Sequence, residues 1–344
     1  MLEVKKEGVI LKKTSLSFEN EGVLNPAVIY EGGFIHLFYR AVAKGNYSSI
    51  GYCRLSDPFT VEKRLDMPVL SAEFDYESHG VEDPRIVKID DLFYLTYTAY
   101  DGANALGALA ISKDLIHFEK KGIIVPQITF TELCNLVGKN NSIIENYKPF
   151  NQINIEQIKD IFIWDKNVIF FPRKIDGKFY ILHRIKPDIQ IITINNLDDL
   201  TKEFWLDFFK DLKNNTLFSP KYDHEINYIG GGCPPIETEY GWLLIYHGVH
   251  SSKDGFVYSA CAALLDLHNP KKEIARLPYP LFEPELDWEL KGEVNNVCFP
   301  TGAVVFEDTL YIYYGAADEQ IGCASLSLSD LLKELTLNTK QNEK

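Results

Sequence analysis

Methionine is scarce in this chain, with 2 in 344 residues, and the 6 cysteines never form a C-x-x-C pair. Such spacing argues against a zinc ribbon or a thioredoxin-like redox centre. Cys53, Cys134, Cys233, Cys261, Cys298 and Cys323 are scattered, several inside apolar stretches, and read as buried free thiols of a reducing compartment. Basic residues are also in short supply. Lys+Arg total 35 against 49 Asp+Glu, a formal charge of −14 and a pI near 5.1. That balance argues against a nucleic-acid binder and against docking on anionic lipid. No run approaches the roughly 18 apolar residues that span a bilayer, and the opening Met1-Leu2-Glu3-Val4-Lys5-Lys6 lacks the apolar core of a secretory signal. A cytoplasmic protein is expected. No H-E-x-x-H, Cys/His cluster, G-x-S-x-G or phosphate-loop pattern occurs, so neither a metal nor a cofactor is expected.

What the chain does have is aromatic and turn residues. Phe, Tyr and Trp make up 13%, with 19 Tyr and 21 Phe beside 22 Gly and 16 Pro. Strands favour aromatic and β-branched residues and turns favour Gly and Pro, so a β-rich protein is expected. A hydrophobic fraction of 46% is enough for a packed core and excludes wholesale disorder.

Five segments repeat one pattern of apolar strand, tight turn and aromatic strand. They are NPAVIYEGGFIHLFYRAV from Asn25, EDPRIVKIDDLFYLTYTAY from Glu82, NVIFFPRKIDGKFYILHRI from Asn167, CPPIETEYGWLLIYHGV from Cys233 and FPTGAVVFEDTLYIYYGAA from Phe299. Anchored on Gly33, Asp91, Gly177, Gly241 and Asp308, the spacings are 58, 86, 64 and 67. Strands of small residues follow the hairpins, as in Ser49–Cys53, Ala105–Leu109, Tyr258–Ala262 and Ile321–Ser325, with outer strands near Phe59–Val61 and His117–Phe118. About four strands per repeat of this length fits a propeller blade, and five blades account for the chain. The expected fold is therefore an all-β five-bladed β-propeller spanning 1–344 as one domain. Two separate β-sandwiches fit an even repeat less well. The long second interval implies a partly helical insertion at about 128–163, and Thr201–Lys213 and Ser327–Leu335 have helical spacing, the latter a short C-terminal helix.

Equivalent blade positions converge on a propeller axis. Seven residues past each anchor lie Arg40, Thr98, Arg184, Gly248 and Gly315, with His247 beside the fourth. Two arginines and a histidine at matched positions in an acidic chain suggest an anion site, although pairing with structural carboxylates gives the same pattern. At the start of the first strands lie Asn25, Asp83, Asn167 and the run Gly230-Gly231-Gly232, and Asp83 is the one acid of that set. Glu82, Glu225 and Glu237 near strand starts read as solvated or structural. The tyrosines read as blade packing, with a few at the rim able to stack on a sugar ring.

The set LNPAVI, FYRAV, GVEDPRIV, YTAYDG, DKNVIFFPRKIDGKFYILHR, GGGCPPIETEYGWLLIYHGV and YYGAAD resembles glycoside hydrolase family 130, over roughly residues 18 to 330. The resemblance implies a five-bladed propeller acting as an inverting β-mannoside phosphorylase. Asp83 matches the family's general acid, which protonates the glycosidic oxygen through the 3-hydroxyl of mannose. Lys166, Asn167, Arg184 and His247 match phosphate-binding positions, while Asn25, Arg40 and Asp318 match positions near the sugar. Position 166 is commonly Arg in relatives; Lys keeps the charge and loses the bidentate fork. An inverting hydrolase needs a second carboxylate to activate water, whereas phosphate is already an anionic nucleophile and needs cations to hold it.

The implied partners are a β-mannoside and inorganic phosphate as co-substrate, with no nucleic acid and no membrane. A homo-oligomer is compatible with such an insertion. Two other readings stay open at this level. An inverting β-mannosidase would need a base such as Glu225 or Glu237, and a non-catalytic sugar-binding propeller would need neither base nor acid.

Overall fold

Turn residues set the local path of the chain. In the computed structural model, which describes residues 2–137 and 161–342, Gly32 and Gly33 take φ of 58° and 86°, Asp90 takes 55°, Asp176 and Gly177 take 50° and 75°, and Glu307 takes 53°. Two-residue hairpin turns that match strand twist need this left-handed backbone, which Gly and Asp adopt most easily.

The hairpins grow into five antiparallel units, and the protein is mostly β. Unit one holds Gly22–Glu31, Phe34–Ala43, Tyr47–Leu55 and Val61–Arg64. Unit two holds Gly80–Ile89, Leu92–Tyr100, Ala105–Ser112 and Phe118–Ile123, joined to unit one by the parallel pair Ser48–Gly80. Unit three holds Lys166–Phe170, Phe179–Arg184, Ile189–Ile194 and Thr216–Phe218. Unit four holds Tyr228–Gly231, Ile236–Thr238, Gly241–Ser252, Gly255–Leu265 and Glu273–Arg276. Unit five holds Cys298–Phe306, Thr309–Ala316 and Gln320–Ser327. Its fourth strand comes from the other end of the chain, Lys5–Leu11, which pairs with Gln320–Ser327. The sequence reading did not anticipate this closure.

Apolar cores lie between neighbouring units. Phe38 and Ile50 pack with Leu95 and Tyr97, Val87 and Leu109 with Phe170 and Ile181, and Ile169 and Leu182 with Trp242 and Leu244. Ile245 and Leu264 pack with Ile312 and Tyr314, and a last cluster joins Leu37 and Cys53 of unit one to Tyr313 and Ile321 of unit five. Thr201 caps the helix Lys202–Lys210, whose Trp205, Phe208 and Phe209 are buried. The helix Phe130–Val137 buries Phe130 and Leu133 in the same cluster. Leu328–Asn342 is helical as the spacing suggests. Residues 138–160 of the expected insertion lie outside the described residues. No described helix is long and apolar enough to cross a membrane.

In one unit the sequence register is off by a residue. Unit four closes its hairpin at Thr238–Gly241, so the turn is Glu239–Tyr240 and Gly241 is the first strand residue. A Cβ on Gly241, at φ 136°, would lie 2.1 Å from the Leu265 carbonyl oxygen, so glycine is there for close packing. The position matched to Arg40 and Arg184 is therefore His247, and Gly248 falls outside the set.

Four units carry the same buried lock. Glu19, Glu77, Glu225 and Glu289 are fully buried, and each meets a cation from an outer strand: Arg64 (2.8 Å), Lys120, Arg276 (3.3 Å) and Lys6 (2.6 Å). Tyr39, Tyr246 and Tyr314 donate their hydroxyls to Glu19, Glu225 and Glu289, and Lys120 sits 5.9 Å from the Tyr97 ring in the fourth. Backbone amides fill the remaining acceptor sites, Lys221 and Tyr222 on Glu225 and Glu285 and Leu286 on Glu289. In unit three Asp165 and His183 take over, 2.7 Å apart and buried. A buried carboxylate is tolerable only when it is paired and hydrogen-bonded.

Glu225 is thus committed to structure and Glu237 forms an exposed pair with Arg173 at 2.7 Å, so neither is placed as a catalytic base. Glu225→Gln should cost about 3 kcal/mol by leaving Arg276 and Tyr246 short of an acceptor. Urea unfolding reads this out; a loss below about 1 kcal/mol would contradict the lock.

Candidate active site

In units one to three the first strand bulges one residue after a matched pair. The register runs Leu24–Arg40 then Ala27–Phe38, Glu82–Thr98 then Arg85–Thr96, and Lys166–Arg184 then Ile169–Leu182. The residues at the bulges, Asn25, Asp83 and Asn167, have φ of 50°, 48° and 54°. Asn and Asp tolerate this backbone better than other side-chain-bearing residues, and a bulge re-aims the side chain it carries. All three are buried and line one pocket with Arg40, Lys166, Arg184 and Asp318. His247 lies next to it. A Cβ on Gly230 would come within 2.6 Å of Asn167 Nδ2 and 2.5 Å of His247 Cε1, so this glycine leaves the space both side chains use. Gly231 and Gly232 present their carbonyls to the buried Arg85 guanidinium, which ties unit two to unit four. The glycine run is a junction between units that leaves room for Asn167 and His247 beside the pocket.

The pocket has two electrostatic halves. On one side Asp83 Oδ1 accepts from Asn25 Nδ2 at 2.8 Å and lies 3.6 Å from Arg40. Arg40 donates to Glu82 at 2.7 Å and to Ser48 at 2.8 Å. Glu82 is buried as well and sits 3.9 Å from the Lys166 ammonium. Arg40 is therefore neutralised by carboxylates, which corrects the reading of it as an anion-binding cation. Burial pushes Asp83 toward the neutral form, but Arg40 and Lys166, with the Asn25 hydrogen bond, hold its carboxyl below the usual range. Burial, against the pull of Arg40 and with the help of Asp83, pushes the Asp318 carboxyl up to about 6.

The other side is rich in donors. Asn167 Nδ2, Arg184 Nε and both ring nitrogens of His247 are buried with no hydrogen-bond partner among the described residues. Lys186, which the sequence reading missed, holds its ammonium 3.8 Å from the Tyr228 ring, and the Arg184 guanidinium is 5.5 Å from the same ring. Burial, then the charges of Arg184 and Lys166, drives the Lys186 ammonium down to about 7. Burial and the same cations push His247 well below its ordinary value, so its imidazole is neutral and offers one N–H. Buried donors without acceptors are costly, and an anion would satisfy all of them at once. Lys186 lies in the turn that follows the strand Phe179–Arg184, outside the repeated pattern.

The one described trio with metal-like spacing, His224, Glu225 and Cys261, shares the carboxylate already committed to Tyr246 and Arg276.

A family model described as beta-1,4-mannooligosaccharide phosphorylase matches residues 8–337. The chain belongs to glycoside hydrolase family 130. Within the family, a 1,2-beta-oligomannan phosphorylase of Thermoanaerobacter sp. (strain X514) is 36% identical over 343 residues, 94% of this chain and 96% of the relative. A beta-1,2-mannobiose phosphorylase of the same organism is 38% identical over 321 residues, covering 89% and 90%. Among solved structures, a beta-1,2-mannobiose phosphorylase from Listeria innocua in complex with beta-1,2-mannobiose superposes with a TM-score of 0.72 at 23% identity, covering 98% of this chain and 100% of that one.

The raised Asp318 carboxyl predicts a pH effect of definite sign. A group whose native pKa lies above its unfolded value favours the fold at low pH, and that contribution is lost as pH rises through about 6. Asp318→Asn stays neutral, so its melting temperature should gain on the unmodified protein between pH 4 and pH 7. Parallel melting curves across that range would contradict the assignment.

Proposed function

We propose that this family 130 member is an inverting β-mannoside phosphorylase, using inorganic phosphate as co-substrate and no other cofactor. The observation that carries this reading is the set of buried donors without acceptors among the described residues, on Asn167, Arg184 and His247, beside the Asp83 half of the pocket and next to the Lys186 ammonium. The two candidate bases of a hydrolase are paired elsewhere, Glu225 with Arg276 and Glu237 with Arg173.

In the proposed reaction Lys166, Asn167, Arg184 and His247 hold phosphate, assisted by Lys186, while Asn25, Arg40 and Asp318 hold the mannose. A phosphate oxygen attacks the anomeric carbon, the bond to the glycosidic oxygen breaks, and that oxygen takes a proton originating on Asp83. The family resemblance routes this proton through the sugar's 3-hydroxyl. The products are α-mannose 1-phosphate and a sugar shortened by one residue. Asp83 is held ionised by cations in the free protein. A phosphate dianion beside Lys166 cancels part of that field and lets Asp83 take up the proton it must deliver. Phosphate therefore loads the acid as well as supplying the nucleophile.

The linkage proposed is β-1,2. It is supported by the names of the two relatives matched over about nine-tenths of the chain; a beta-1,4-mannooligosaccharide phosphorylase of Ruminococcus albus is 32% identical over 60% of the chain. We also propose that residues 1–344 form one five-bladed propeller in the cytoplasm. Support for the propeller comes from the cores between successive units, one of which joins unit five to unit one.

Mannobioses of β-1,2 and β-1,4 linkage, with and without phosphate, test the reading. Turnover should require phosphate, Asp83→Asn should lower kcat at least about a hundredfold, and Arg184→Ala should raise the KM for phosphate far more than that for sugar. Turnover in phosphate-free buffer, or more than a tenth of the activity left in Asp83→Asn, would overturn it.

A further inference from the structure

The pocket mouth continues into a row of aromatic side chains that the proposed chemistry does not use. Trp164 lines the same pocket as Asp83 and Lys166, with its indole N–H fixed on the Ala103 carbonyl at 2.9 Å. The Tyr100 ring follows at 6.4 Å, His79 at 6.0 Å from Tyr100, and Tyr47 stacks on His79 at 5.5 Å with the planes 23° apart. The row runs from the start of unit three across unit two to unit one. Its ends are open, with Trp164 41% and Tyr47 51% exposed.

The row is also built on the catalytic rim. Tyr47 directly precedes Ser48, which accepts from Arg40 and pairs with Gly80, and Tyr100 pairs with Gly80 from the other side. Gly102, at φ 97°, leaves room for the imidazole, since a Cβ there would stand 2.9 Å from His79 Cε1. Exposed aromatics in contact with one another and continuous with a ligand pocket mark a binding surface. Their flat faces suit the C–H-rich faces of sugar rings, and their edges leave hydroxyls in water.

We propose that this row, from Trp164 to Tyr47, is an extended acceptor track that binds the sugars of a β-mannooligosaccharide beyond the cleaved bond. The proposal rests on the mannoside reading of the pocket. It makes the natural substrate an oligosaccharide of three or more residues, because a disaccharide ends before the track is filled. Removing one mannose at a time then returns a product that is still held by the track.

Binding to the full-length Asp83→Asn protein separates the track from the chemistry. Calorimetry with mannobiose and mannotetraose, each in β-1,2 and β-1,4 form, should show the tetraose of one linkage binding roughly tenfold more tightly than its biose, the scale of one or two ring contacts. Adding Tyr47→Ala should remove most of that advantage and leave the biose affinity unchanged, while Trp164→Ala weakens both. Equal affinities for biose and tetraose would overturn the track. So would a tetraose advantage that survives Tyr47→Ala, the result expected if the row docks another protein instead. Phosphorolysis by the unmodified protein is measured alongside: its absence would remove the proposed reaction, and the binding arm would still decide the track.

Discussion

The buried carboxylate of each unit is the constraint on which the rest depends. Glu19, Glu77, Glu225 and Glu289 are fully buried, and each is held by a cation from an outer strand, without which a carboxylate in that place would be costly. Each lock joins the loop before a unit, the second strand and the outer strand, so the hairpin cannot slide in register without breaking it. Lys6 shows how far this reaches. It supplies from the N-terminal strand the cation that Arg64, Lys120 and Arg276 supply from the outer strands of their own units. The closure of unit five is thus an ion pair as well as a strand pair. Unit three departs from the rule, with Asp165 and His183 packed against Trp205 and Phe208 of the helix Lys202–Lys210.

A fixed register gives the site its geometry. The bulges follow the matched pairs Leu24–Arg40, Glu82–Thr98 and Lys166–Arg184, so Asn25, Asp83 and Asn167 reach the pocket from three units by one backbone device. Unlike residues at these like positions produce the two halves. Where unit two places acids, they neutralise Arg40 and share the field of Lys166; where units three and four place Arg184 and His247, buried donors have no acceptor among the described residues. In a chain of net charge −14, Arg184, Lys166 and Lys186 gather on one side of this pocket. Burial first, and then the neighbouring cations, depress the Lys186 ammonium and keep His247 neutral.

Much of this is legible in the sequence, and the misses have physical causes. Hairpin turns, small-residue strands and the helix from Thr201 follow from local rules and appear where the residues place them. Asp83 and Arg184 stand out because they differ from their repeat-mates. The N-terminal strand was missed because KKEGVIL has no turn signal and finds its partner more than 300 residues away. His247 was misplaced by one residue because Tyr240-Gly241 looks like a turn, while the glycine serves strand packing against Leu265. Arg40 looked like a free cation because its partner Glu82 belongs to another unit. Lys186 lies past the repeat, where its approach to Tyr228 depends on how two units meet.

The most direct test of the phosphate-dependent chemistry is a proton NMR time course of β-mannobiose cleavage that resolves the anomeric signals of the first product. With phosphate present, α-mannose 1-phosphate should appear first, with no lag and no free mannose from the cleaved residue preceding it. β-Mannose 1-phosphate would contradict inversion at the anomeric carbon. Free mannose released from that residue at the same rate with and without phosphate would contradict the anion site itself.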